Sequence, residues 1–238
     1  MQTILWYASS RYGGFGAGGK LLRAVIICVF TVLAGFSVAQ AQTVRIAALG
    51  DSLTQGYGLL PEDGLVPQLE NWLRARGHDV AVLNAGVSGD TTAGGLSRLD
   101  WTLADDPDAM IVALGGNDLL RGINPALSRA NLDAILSRLD TEGIPALLVG
   151  LPAPGNYGPE YREAFRAMFP ELAETHDAVL VADMLAPLMA RIEAGDAPGA
   201  VFQDDRIHPN PSGVALVVEA LGPQVEALIA RVEAARGA

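Results

Sequence analysis

The chain contains one cysteine, Cys28, one lysine, Lys20, three histidines and only 6% aromatic residues. A single cysteine excludes an internal disulfide and any cysteine-built metal site. The histidines, at positions 78, 176 and 208, are too dispersed to form a ligand cluster, so neither a metal nor a cofactor is expected. Positive charge is also scarce. Sixteen Lys and Arg face 27 Asp and Glu, a net charge of −11. Such a surface is a poor partner for nucleic acid or an anionic membrane. The glycine-rich stretch Gly13–Gly19 has no strand before it, which excludes a phosphate loop.

The apolar run Ala24–Phe36 has 13 residues, short of the roughly 20 needed to span a bilayer. Arg11, Lys20 and Arg23 precede it or lie at its start, no acidic residue accompanies them, and Ala39-Gln40-Ala41 follows. A basic segment, a short apolar core and an Ala-x-Ala site predict a secretory signal over residues 1–41. One domain is expected over residues 42–238, periplasmic or secreted and without stable membrane insertion. Cleavage removes both Cys28 and Lys20 and shifts the net charge from −11 to −14. The remaining 197 residues suffice for one hydrophobic core.

Beyond residue 41, apolar β-prone runs alternate with helical patterns. The runs are Val44–Leu49, Val80–Leu83, Met110–Leu114, Ala146–Gly150 and Val179–Val181. Helices are predicted over Glu62–Arg76, Thr92–Ala104, Pro125–Glu142, Pro159–His176 and Ser212–Ala235, with Gly77 and Gly143 as stop signals. Strands lacking polar alternation are covered on both faces, which predicts a three-layer α/β/α sandwich around a five-stranded parallel sheet. Ligands bind such sheets beyond the carboxyl ends of their strands.

Four polar fragments fall at that edge: Gly50-Asp51-Ser52-Leu53, Asn84-Ala85-Gly86, Gly115-Gly116-Asn117-Asp118 and Asp205-Arg206-Ile207-His208. Ser52 reads either as a helix cap or as a nucleophile. Thr54 stands where a G-x-S-x-G elbow would need its second glycine. His208 lies in a proline-restricted loop that blocks a helix until Ser212. Asp205, or else its neighbour Asp204, can orient the imidazole and leave Nε2 for Ser52. His78 and His176 read as solvated loop and helix-end residues. Leu119, Leu120 and Ile123, just past Asn117, suit either an acyl chain or the start of a core helix.

The four fragments, in this order, resemble the blocks of the SGNH (GDSL-type) hydrolases, and within them the thioesterase I/lysophospholipase/arylesterase group. The resemblance implies the flavodoxin-like strand order 2-1-3-4-5 and a catalytic triad of Ser52, Asp205 and His208, with Asp205 selected over Asp204. It implies oxyanion donors at Ser52, Gly86 and Asn117, and an acyl site that Asn156 and Tyr157 help to line beside Leu119. Read without the resemblance, Gly86 can instead serve a tight turn, Asn117 a helix cap, and Asn156-Tyr157 a loop with an anchoring tyrosine. A monomeric enzyme acting on a small ester, thioester or lysophospholipid is expected. A carbohydrate O-acetylesterase and a non-catalytic acyl-binding protein are the alternatives.

Overall fold

The computed structural model describes residues 42–153 and 155–237; the expected signal segment, residues 1–41, lies outside them. Five strands form one parallel sheet: β1 (Val44–Gly50), β2 (Val80–Gly86), β3 (Ala109–Ala113), β4 (Ala146–Val149) and β5 (Val179–Val181). Their order is β2-β1-β3-β4-β5, the one the family resemblance implies. Every residue of β3 and β4 is buried, and β1 is interrupted only at Arg45. Both faces are covered, which explains the absence of polar alternation.

The chain also forms α1 (Ser52–Gln55), α2 (Leu65–Ala75), α3 (Thr92–Ser97), α4 (Leu99–Leu103), α5 (Gly116–Leu120), α6 (Pro125–Glu142), α7 (Pro159–Thr175), α8 (Ala186–Glu193) and α9 (Pro211–Arg236). Helices α2 and α9 pack together on one face of the sheet; α3, α6 and α7 pack on the other. Helix α9 is long and apolar enough to cross a membrane. Its apolar residues, among them Val217, Leu221, Val225 and Leu228, are instead buried in the core.

Three expectations are corrected. The helix predicted over Glu62–Arg76 starts at Leu65, because Pro61–Asp63 form a separate 3-10 turn that ends at Gly64. The helix predicted over Thr92–Ala104 is split at Arg98, whose guanidinium turns inward to the strand ends. Helix α9 starts at Pro211 rather than Ser212, with Asn210 as cap accepting from the Gly213 N–H. Proline suits the first helical position, where no N–H is needed.

Register positions the site. Gly50 pairs with Gly86 on one side and with Ala113 on the other, so β1, β2 and β3 end level. The segments that leave them, at Asp51, Val87 and Leu114, emerge side by side at one edge.

Candidate active site

Ser52 stands directly beyond β1. Asp51, not Ser52, caps α1, accepting from the Leu53 N–H at 3.0 Å. Ser52 is the first residue of the helix, so its own N–H has no intrahelical acceptor. The Asp51 carboxylate is buried and also accepts from Asn117 Nδ2 at 3.3 Å. Burial pushes the Asp51 carboxyl above its ordinary value, opposed by the Leu53 N–H, by nearby His208 and by Asn117. One carboxylate thus shapes the serine turn and aims the Asn117 amide.

His208 is held by a closed turn. Phe202 and Pro209 form an antiparallel bridge, and the Gln203 N–H donates to His208 O at 2.8 Å. Gln203 Nε2 donates to Tyr57 O at 2.8 Å and Pro209 O at 3.0 Å, tying this turn to the segment after α1. Asp205 Oδ1 accepts from the N–H groups of Ile207 (2.9 Å) and His208 (3.0 Å). Its Oδ2 accepts from His208 Nδ1 at 2.6 Å, and Ser52 Oγ donates to His208 Nε2 at 2.9 Å. The bond to Asp205 fixes the tautomer that leaves Nε2 as acceptor. The Tyr57 ring leans on the imidazole, centroids 4.7 Å apart. Partial burial acts to raise the Asp205 pKa, but the His208 N–H, the His208 ring and the Ile207 N–H outweigh it and hold the carboxyl at about 2. The neighbouring Asp204 is exposed, and the His208 ring bonds to Asp205.

Gly86 ends β2 at the expected edge, but it takes the role of a turn glycine rather than that of an oxyanion donor. Its N–H is spent on Asn84 Oδ1 at 3.0 Å. A β-carbon there would collide with the Gln55 backbone, and it would lie 2.9 Å from Asp51 O. The glycine is needed for the close approach of β2 to α1, and Gly86 does not line the cavity described below. Gly89 does line it. Its φ is 81°, Arg121 Nη2 holds its carbonyl at 2.7 Å, and its N–H has no backbone acceptor among the described residues. The polar turn Ser88-Gly89-Asp90 before α3 was the signal available for it.

That turn is fastened from below. Arg98 donates to Ala85 O (2.7 Å), Gly50 O (2.9 Å) and Asp90 Oδ2 (2.6 Å), satisfying the carbonyls where β1 and β2 end. Asp118, also buried, accepts from the Thr92 N–H (2.8 Å), Thr92 Oγ1 (2.6 Å) and Ser128 Oγ (2.8 Å), locking the Asn117 segment to α3 and α6.

Ser52, Asn117 and His208 open onto a cavity of about 740 Å³. Its wall is largely apolar: Leu53, Leu119, Leu120, Leu151, Pro152, Ala153, Leu185, Met189, Phe202 and Ile207 contribute, with Tyr57 at the His208 side. Leu119 is buried and Leu120 is 59% exposed, so the wall continues onto the surface. Ile123, Asn156 and Tyr157 are outside this lining. Tyr157 serves as an anchor. It donates to Leu120 O at 3.2 Å and packs on Tyr161, centroids 4.9 Å apart, anchoring the end of α5. Asn156 is exposed beside it. The β4 exit still reaches the site, but through Leu151, Pro152 and Ala153. A second cleft, of about 720 Å³, lies at the opposite edge of the sheet. Arg138–Asp100 and Arg236–Asp108 ion pairs cross it, and it contains no serine or histidine.

The other histidines serve structure. His78 Nε2 meets Glu226 at 3.1 Å. His176 is not solvated: its side chain is 8% exposed, with Nδ1 2.6 Å from Asp140 and Nε2 2.8 Å from Asp133. Among the described residues no group of His, Cys, Asp and Glu could hold a metal ion.

A hydroxyl bonded to an imidazole, that imidazole bonded to a carboxylate, and free N–H donors beside them form the arrangement of a serine hydrolase. The sequence profile of the GDSL-like Lipase/Acylhydrolase family matches residues 48–216. The chain belongs to this family of SGNH hydrolases and is an ester hydrolase. It is 36% identical to the esterase TesA of Pseudomonas aeruginosa over 211 residues, covering 87% of this chain and all of the relative. To thioesterase 1/protease 1/lysophospholipase L1 of Escherichia coli K12 it is 33% identical, covering 84% and 91% of the two chains. The crystal structure of AlinE4, an SGNH-hydrolase family esterase, superposes with a TM-score of 0.63 at 42% identity, covering 79% of this chain and 97% of that one.

Proposed function

We propose that this protein is an exported serine esterase that cleaves acyl and aryl esters, lysophospholipids or thioesters through an acyl-enzyme on Ser52. Ser52 Oγ attacks the carbonyl carbon while His208 Nε2 takes its proton. Asp205, ionised at any pH above its low pKa, keeps the imidazole oriented and balances the imidazolium. The oxyanion is held by the Ser52 N–H, the Gly89 N–H and Asn117 Nδ2. His208 returns the proton to the leaving group. It then activates the water that releases the acid and frees Ser52. The observation that carries this reading is the continuous hydrogen-bonded chain Ser52–His208–Asp205 opening onto a largely apolar cavity. The names of the relatives, an esterase and a thioesterase/lysophospholipase, support the substrate class. The apolar wall suits an acyl chain better than a sugar ring.

The test is intact-mass spectrometry after fluorophosphonate treatment, followed by rates on p-nitrophenyl acetate, butyrate and octanoate and on acetylxylan. One adduct per chain is expected, absent from Ser52→Ala, with butyrate and octanoate cleaved faster than acetate. Labelling that survives in Ser52→Ala would remove Ser52 as nucleophile. No labelling at all would support a non-catalytic acyl-binding protein. Acetylxylan as the best substrate would support the O-acetylesterase alternative.

A further inference from the structure

Arg206 has a conformation and a position that the ester-cleaving machinery does not require. Its φ of 58° lies in the left-handed region, in which non-glycine residues are uncommon. An arginine kept there, between the two members of the Asp205–His208 pair, points to a use for its side chain. It is the single arginine on the cavity wall, and buried Asp51 is the single carboxylate. Its backbone N–H is bonded to Gln203 O. The guanidinium is exposed and takes part in none of the ion pairs of the described residues, although Arg74, Arg98, Arg138 and Arg191 all find carboxylates. Arg45, Arg121, Arg162 and Arg166 likewise form no ion pair among the described residues, but of these five arginines only Arg206 lines the cavity of the nucleophile.

Its place in the loop decides what it meets. His208 must return a proton to the leaving-group oxygen, so the leaving group departs on the His208 side of Ser52. Arg206 is two residues from His208 in the same closed turn. The acyl chain has the apolar wall of Leu119, Leu120 and Leu151. We propose that Arg206 recognises a phosphodiester in the leaving group of the ester, a glyceryl unit away from the scissile bond, and so selects lysophospholipids over neutral glyceryl esters. The planar guanidinium fork matches two phosphate oxygens. Tyr57, Met189 and Ile207 line the same cavity and give the glyceryl unit an apolar surface to rest on.

This inference rests on Ser52 and His208 being the reacting pair, and the experiment separates the two. Wild type, Arg206→Gly and Arg206→Lys are compared on octanoyl-lysophosphatidylcholine and on octanoylglycerol, which share the acyl chain. Glycine accepts the positive φ, so this variant keeps the turn. The ratio of kcat/KM for the phospholipid to that for the glyceride is expected to fall about tenfold in Arg206→Gly, mainly through KM. A smaller fall, about threefold, is expected in Arg206→Lys, which keeps the charge without the fork. An unchanged ratio overturns the proposal, whatever happens to the absolute rates. A second arm measures calorimetric binding of the same lysophospholipid to Ser52→Ala and to Ser52→Ala combined with Arg206→Gly. Weaker binding by the double variant supports the role of Arg206 even where neither ester is hydrolysed, the outcome that would overturn the esterase reading alone. Equal binding removes Arg206 from recognition.

Discussion

At the scale of single residues, Gly86 and Asn117 separate structure from chemistry. Asn117 Nδ2 is held only by Asp51, in a geometry that costs the fold little to lose. A donor aimed at a developing oxyanion is worth about 3–4 kcal/mol in the transition state. Asn117→Ala is therefore expected to lower kcat by roughly 10²–10³-fold with KM and melting temperature little changed. Gly86→Ala should behave in the opposite way. Its new β-carbon meets the Gln55 backbone, which cannot swing aside like a flexible side chain. The melting temperature is expected to fall, with fluorophosphonate labelling retained by the folded fraction. Steady-state kinetics and thermal melts on the two variants check the pair. A pure kcat defect without destabilisation in Gly86→Ala would restore that residue as an oxyanion donor.

At the scale of elements, helix α7 is stapled to α6 by a histidine. His176, just past the end of α7, lies between Asp133 and Asp140 of α6 with both ring nitrogens on carboxylates. Desolvation acts to lower its pKa, but the bonds to Asp140 and Asp133 prevail and raise it above 6.5. A folded-state pKa raised above the unfolded value contributes stability that is complete below about pH 6.5 and is lost as pH rises through the folded value. Wild type should lose melting temperature across that upper window relative to His176→Asn, by about 2–4 °C for each kcal/mol involved in a domain of this size. Parallel slopes for the two proteins between pH 6 and 9 would contradict the staple. The elements themselves were legible in the sequence, since all five strands and helices α6, α7 and α9 stand within a few residues of where the apolar runs and capping residues put them, while the sheet order came from the family resemblance. The short helices α1, α5 and α8 were not. Four to eight residues carry too little periodicity, and tertiary packing rather than propensity stabilises them. The same division holds in the site. Ser52, Asp205, His208 and Asn117 sit in compact motifs and were readable. Gly89, Arg98 and Arg206 were not singled out. The partners of the first two lie across the fold: Arg121 is 32 residues from Gly89, and Gly50 is 48 residues from Arg98. Asn156 and Tyr157 stayed open between an acyl-site lining and an anchored loop, because the sequence locates a loop without saying which way its side chains turn; the bond of Tyr157 to Leu120 O fits the anchored loop.

At the scale of the whole molecule, an interior strand of the sheet begins almost at once after the expected cleavage site. Only Gln42 and Thr43 separate Ala41 from β1, and β1 lies between β2 and β3. The Val44 N–H already bonds to Asp79 O at 2.8 Å, Thr43 Oγ1 reaches Asp79 at 3.0 Å, and Arg236 at the end of α9 holds Gln42 O at 2.7 Å. A signal peptidase needs its site extended and accessible. In the folded domain the two linking residues are tied to the start of β2 and to the last turn of the chain. Cleavage after Ala41 is therefore expected during translocation, before the sheet closes. The mature protein should begin at Gln42 and fold without disulfides, its cysteine having left with the signal. N-terminal sequencing of exported protein checks the position. Pulse–chase labelling checks the order: processing should precede the gain of protease resistance. A bulky residue in place of Ala41 should leave an uncleaved, membrane-held chain that processing cannot rescue once the domain has folded. Full-length protein recovered with its N-terminus intact from wild-type cells would replace the cleaved signal with an anchor.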